Sequence, residues 1–244
     1  MLRKSVFALL SILLSTGSAA AADIDYAPVE EAFSWSGFYI GAHIGGAWGD
    51  VDVVELDDEA GEYNAAGNSW GYDANGVFGG AQVGVNWQPS SLLLGIEADI
   101  GLLGIDGGAP DPASPGLDTF SSVDGGFYAT VTGRVGLAMD RLLIYGKGGV
   151  AFADLGAEIN DNCSLAPCGP ATISANDDGI ETGWTAGGGV EWAFTERMSA
   201  KLEYLFMSFD DVKVSGIATG FLDVDSWEHD VDLHTVKFGI NWHF

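Results

Sequence analysis

Basic residues, cysteines and long apolar runs are all scarce in this chain, and each scarcity excludes something. Nine Lys and Arg stand against 35 Asp and Glu, a formal net charge of −26. A surface of that sign repels polyanions, so nucleic acid is not an expected partner. There are two cysteines, Cys163 and Cys168, close together in sequence. A Cys-x4-Cys pair with no histidine nearby offers too few ligands for a metal, whereas in an oxidising compartment a local disulfide is expected. No run reaches the roughly 18 uninterrupted apolar residues of a transmembrane helix. The four histidines form no His-x-x-x-His pair, and no nucleophile elbow is read. No metal, no cofactor and no enzymatic activity are expected.

Apolar residues are nonetheless abundant, at 47% of the chain, together with 36 glycines. They are dispersed in alternation, as in a wall with one apolar and one polar face. Eight segments show the pattern: Phe38–Trp48, Gly76–Gln88, Leu92–Leu103, Phe127–Ala138, Leu142–Ala153, Gly183–Phe194, Ser199–Phe209 and Lys237–Phe244. Each is close to the ~9–11 residues with which a tilted strand crosses a bilayer. The seven prolines fall outside them, as a hydrogen-bonded ladder requires. Connections alternate between short (Pro89–Ser91, Met139–Arg141, Thr195–Met198) and long (Gly49–Asn75, Gly104–Gly126, Asp154–Thr182, Asp210–Asp230). The fold class expected is all-β: an eight-stranded antiparallel up-and-down transmembrane barrel with short periplasmic turns and long outer loops.

On the polar face of these segments stand Glu97, Asp99, Glu191 and Glu203, with Arg134, Lys147, Lys201 and Lys237. Equal numbers of opposite charges suit a narrow, plugged lumen, because an unpaired buried ion costs several kcal/mol. Neighbouring strands are expected to do most of the pairing, with Arg134 serving Glu97 or Asp99. Gln82, Thr130, Thr132 and Asn241 add uncharged polar groups, and glycine on this face leaves room for larger neighbours. Most remaining acids lie in the long connections, which hold one base, Lys213. That rim is expected to draw divalent cations diffusely, without a defined metal site. Trp87, Trp192, Trp242 and Phe244 are expected at the periplasmic interface, Trp48 and Trp184 at the outer one.

Residues 1–22 read as a secretory signal peptide, with Arg3 and Lys4 before a short apolar stretch and Ala20–Ala22 at the cleavage site. Residues 23–36 read as a polar periplasmic linker and 37–244 as the barrel. The strictly alternating Lys237–Phe244 ends Trp242-His243-Phe244. Its spacing of Lys237, Gly239, Trp242 and Phe244 resembles the terminal assembly signal of Gram-negative outer-membrane barrels, which implies the barrel assembly machinery as a partner.

Trp35-Ser36-Gly37-Phe38-Tyr39-Ile40-Gly41, the hairpin Gly183–Trp192 with Lys201-Leu202-Glu203-Tyr204, and the Phe-terminated last strand carry a wider likeness. They resemble the small opacity-type outer-membrane barrels of alphaproteobacteria, also called porin-like or outer-membrane immunogenic proteins. The resemblance implies residence in the cell outer membrane among lipid and lipopolysaccharide, and surface exposure; it supplies no catalytic residues. Its members are variously structural, antigenic, haemin-binding or weakly pore-forming. A structural, surface-exposed barrel with a plugged polar lumen and acidic loops is therefore expected, with a narrow porin-like pore or a binder of a surface ligand such as haemin or a host factor as alternatives.

Overall fold

The computed structural model describes residues 33–56, 66–113, 119–161, 173–217 and 224–244. Residues 1–32, Cys163 and Cys168, and the acidic string 57–59 lie outside them. Eight strands follow in chain order: β1 (Gly37–Glu55), β2 (Ser69–Trp87), β3 (Leu92–Pro110), β4 (Thr119–Met139), β5 (Leu142–Asp161), β6 (Ile173–Ala193), β7 (Met198–Ile217) and β8 (Val224–His243). Each pairs antiparallel with the next, and β8 closes on β1. All eight expected segments are strands, yet every one is longer than its alternation suggested, at 19 to 21 residues. Pro110 correspondingly ends β3 instead of lying in a loop, a position that a strand terminus tolerates.

The added length has one physical meaning. Twenty residues at ~3.3 Å each, tilted by ~40°, rise roughly 50 Å, about twice the height of an apolar membrane band. Along β1 the outward residues run Phe38, Ile40, Ile44 and Trp48, then Asp50 and Asp52. The inward residues run Tyr39 and His43, then Val51 and Val53. Past Trp48, therefore, the two faces exchange chemistry: apolar residues turn inward and acids outward. The exchange falls at one level on neighbouring strands, since Trp48 pairs with His234 and Asp50 with both Asp73 and Asp232. Below it the wall is apolar toward lipid; above it the wall is that of a water-soluble barrel. Acids expected in loops, among them Asp50, Asp52, Asp73, Asp106, Asp124 and Glu158, thus stand on the outer halves of strands. Ladder irregularities at Gly125/Tyr128 on β4 and Phe209/Val212 on β7 lie just above this level. On β7 the extra residue resets the phase so that Val212 and Val214 point inward after Phe209, as a β-bulge does.

The interior is consequently layered. The outer half holds an apolar core that includes Val51, Val53, Leu103, Ile105, Leu155, Ile159, Val214, Val231 and Leu233. The turn end holds a smaller one, of Phe33, Trp35, Leu93, Ala138, Leu143, Tyr145 and Ala193. Charged side chains fill the space between.

Candidate functional site

The middle layer is built by the pleat. Glu97 and Asp99 of β3, Arg134 of β4, Lys147 of β5, Glu191 of β6, Lys201 and Glu203 of β7, and Lys237 of β8 all project inward and are buried. They form one network. Arg134 lies 3.0 Å from Glu191 and 3.4 Å from Glu97. Lys147 reaches Glu97 at 2.6 Å, Glu203 at 3.1 Å and Asp99 at 3.4 Å. Lys201 meets Glu97 at 2.8 Å, and Lys237 meets Asp99 at 2.6 Å and Glu203 at 2.9 Å.

The expectation that adjacent strands would do most of the pairing is corrected by the register. Arg134 sits directly opposite Lys147, a like charge, and Glu97 opposite Thr132. Within this layer, among the described residues, only two neighbouring-strand pairs form, Arg134–Glu97 and Glu203–Lys237; Glu191 faces Lys201 across the ladder but takes Arg134 as its ionic partner, with the His243 ring 3.7 Å away. The other contacts cross the lumen, because eight strands enclose a space that one Lys or Arg side chain can span.

Neutral groups complete the layer. The Tyr39 hydroxyl donates to Glu97 at 2.6 Å and accepts from Arg134 at 2.8 Å. Tyr145 donates to Glu203 at 2.7 Å, and the Arg134 guanidinium lies 4.3 Å above the Tyr145 ring, a cation–π contact. Ser199 and Asn241 both donate to Glu191, at 2.6 and 2.7 Å, while Thr130 donates to Asp99 at 3.0 Å. His43 bonds Gln82 and Tyr128. The three tyrosines were missed by the sequence reading, which counted charged, amide and threonine side chains on the inner face but not phenols. Their positions between Phe38 and Ile40, Phe127 and Ala129, and Ile144 and Gly146 were the available signal, since period two sends them inward.

Inner glycines make room for these rings. A Cβ on Gly84 would lie 2.2 Å from the Tyr39 hydroxyl, and one on Gly45 2.6 Å from Phe78. Gly84→Val is expected to push Tyr39 off Glu97 and cost about 1–3 kcal/mol, as overpacking does, measured by urea unfolding.

Outside this layer the chemistry is sparse. Among the described residues no group of three or more His, Cys, Asp or Glu is placed to hold a metal. Gly67-Asn68-Ser69-Trp70-Gly71 does carry the Gly-x-Ser-x-Gly spacing, which the sequence reading passed over. It runs from a turn into β2 with Ser69 exposed, so it lacks the strand–turn–helix geometry of a nucleophile elbow. The interfacial aromatics Trp87, Trp192, Trp242 and Phe244 are exposed at the turn end, and Trp48 and Trp184 at the level of the chemical exchange. There Trp48 stacks on His234 and Trp184 packs against Phe206.

A family model described as "Outer membrane protein beta-barrel domain" matches residues 7–244. The 31 kDa outer-membrane immunogenic protein of Brucella melitensis biotype 1 is 30% identical over 255 residues, covering all of both chains. The 22 kDa outer membrane protein of Rhizobium leguminosarum bv. viciae is 30% identical over 220 residues, 89% of this chain and 82% of that one. Among solved structures, the outer membrane protein OprG from Pseudomonas aeruginosa aligns with a TM-score of 0.49 at 14% identity, over 86% of this chain and 97% of that one.

Proposed function

Since this chain belongs to the outer membrane protein β-barrel domain family and is therefore an outer-membrane barrel, we propose that it is a closed structural barrel that displays an acidic outer surface and does not conduct. The observation that carries this reading is the layering of its interior. Four buried acids and four buried bases neutralise one another between two apolar cores. An ion crossing the lumen would have to displace a paired group and then traverse packed Val, Leu and Ile side chains, each step costing several kcal/mol. A pore needs a continuous polar path, and the outer core interrupts it.

The outward acids above the membrane level favour a display role. Neighbouring strands set carboxylates side by side, as at Asp50–Asp73, Asp52–Asp230 and Asp106–Asp124. Like charges directly opposite are destabilising and are held there against solvent and its counterions. This surface suits lipopolysaccharide bridged by divalent cations and gives no support for a catalytic role. Reconstitution of the purified protein in planar bilayers tests the proposal: a silent membrane is expected, and reproducible ion-selective steps would overturn it.

A further inference from the structure

The turn end of the barrel is closed by a segment that belongs to no strand. Phe33 and Trp35 precede β1 in sequence, and composition alone assigns them to a polar linker. In the structure they fold into the mouth: Trp35 is 0% exposed and Phe33 5%. They pack on the inward side chains Leu93, Ala138, Leu143 and Ala193. Their rings meet edge to face at 4.8 Å, and both lie edge-on to His243 at 5.8 and 5.6 Å.

Two turns grip this segment. The Phe33 amide donates to the Asp140 carboxylate at 3.0 Å, and the Trp35 indole donates to the Asp140 carbonyl at 2.9 Å. The Trp35 amide donates to the Gln88 side chain at 2.8 Å, and the Gln88 amide donates back to Ser36 Oγ at 2.9 Å. Arg141 lies over the Phe33 ring at 6.0 Å. Asp140, with φ of 52°, is the one described non-glycine residue with positive φ. That conformation is uncommon outside glycine, asparagine and aspartate, and here Asp140 grips the segment with both its carboxylate and its carbonyl.

We propose that Phe33–Ser36 is a removable stopper that seals the lumen from the periplasmic side. Every polar contact described between it and the rest of the barrel runs to a turn, none to a ladder, so it can leave without unpairing a strand. Its departure exposes an apolar floor and then the charged layer directly above it. The outer core offers no such exit, because its residues are the wall itself. The inference deepens the closed-lumen reading and rests on it.

The test uses the full-length protein with Ala193→Cys as a reporter in the floor. Its labelling by a membrane-impermeant maleimide is followed by peptide mass mapping, which separates it from Cys163 and Cys168. In Phe33→Ala/Trp35→Ala, labelling at position 193 is expected to rise at least ~10-fold over the intact stopper, as a locally opened region loses protection. Asp140→Gly keeps the positive φ and deletes the clip to Phe33; it is expected to give a smaller rise and decides the matter should the double variant fail to fold. Retained heat-modifiable migration in SDS gels shows that the barrel persists. Unchanged labelling in an intact double variant, or in an intact Asp140→Gly barrel where the double variant fails to fold, would overturn the stopper. Conductance by the wild type would instead overturn the closed lumen, so the two failures are distinguishable.

Discussion

Arg134→Ala is expected to lower unfolding stability by about 3–5 kcal/mol, the cost of leaving a buried charge without its partner. The substitution removes the ionic contacts to Glu97 and Glu191 together with the guanidinium over Tyr145. Glu97 keeps Lys147 and Lys201. Among the described residues Glu191 keeps only Ser199 and Asn241 as close donors, with His243 3.7 Å away, so most of the penalty falls on Glu191. A second substitution separates charge from packing. Glu191→Gln in the Arg134→Ala background is expected to recover part of the loss, because a neutral amide costs less to bury than an unpaired carboxylate. Lys213→Ala serves as the comparison. Lys213 lies 3.4 Å from Glu228 with its side chain 58% exposed, and a pair so accessible contributes at most about 1 kcal/mol. Urea unfolding in lipid micelles, scored by heat-modifiable migration, measures all three. Equal, small losses for Arg134→Ala and Lys213→Ala would mean that the inward face is wet, and the pore reading would return.

The second large effect is expected at the closing strand. Trp242 pairs with Ile40 on one side and Met198 on the other, and the Phe244 amide donates to the Phe38 carbonyl at 3.0 Å. Both rings face lipid. Replacing both with serine removes large apolar surface from the membrane, worth roughly 2–5 kcal/mol at ~25 cal/mol per Å2, on the strand whose pairing with β1 closes the barrel. The Trp242→Ser/Phe244→Ser variant is expected to leave only a minor assembled fraction in the outer membrane. Trp192→Ser controls for lipid-facing area alone, since Trp192 is also an exposed aromatic at the turn end but sits on β6. Assembly impaired to the same degree by both variants would assign the effect to interfacial anchoring and remove any special role from the closing strand.

The membrane-crossing half of each strand was legible because lipid imposes a period that composition cannot hide. Where one face must be apolar and the other polar, alternation marks the strand, its facing and its approximate length, as at Phe38–Trp48 and Leu92–Leu103. The same period assigned eight charged residues to the inside. The outer halves were invisible to that criterion. Beyond Trp48 the pattern continues through Asp50, Val51, Asp52 and Val53 with its two faces exchanged, and a search for apolar residues in one phase reads the exchange as a loop. At Phe209/Val212 a bulge shifts the phase as well, and no one-dimensional pattern follows a strand through such a slip.

By itself the sequence determined the number of strands, their direction, the side of the wall on which the eight charges of the middle layer sit and the neutrality of that layer. These follow from local alternation and from the cost of an unpaired ion, which are properties of residues in order along the chain. Only the tertiary structure decided which ions meet. The register sets Arg134 against Lys147 and so sends both across the lumen, a choice that depends on where eight strands close and on how wide they close. Tertiary structure alone also turned Phe33 and Trp35 from a polar leader into the floor of the barrel. Their partners, Gln88, Asp140 and Ala193, lie 53 to about 160 residues away along the chain, and no local pattern encodes a contact at that separation.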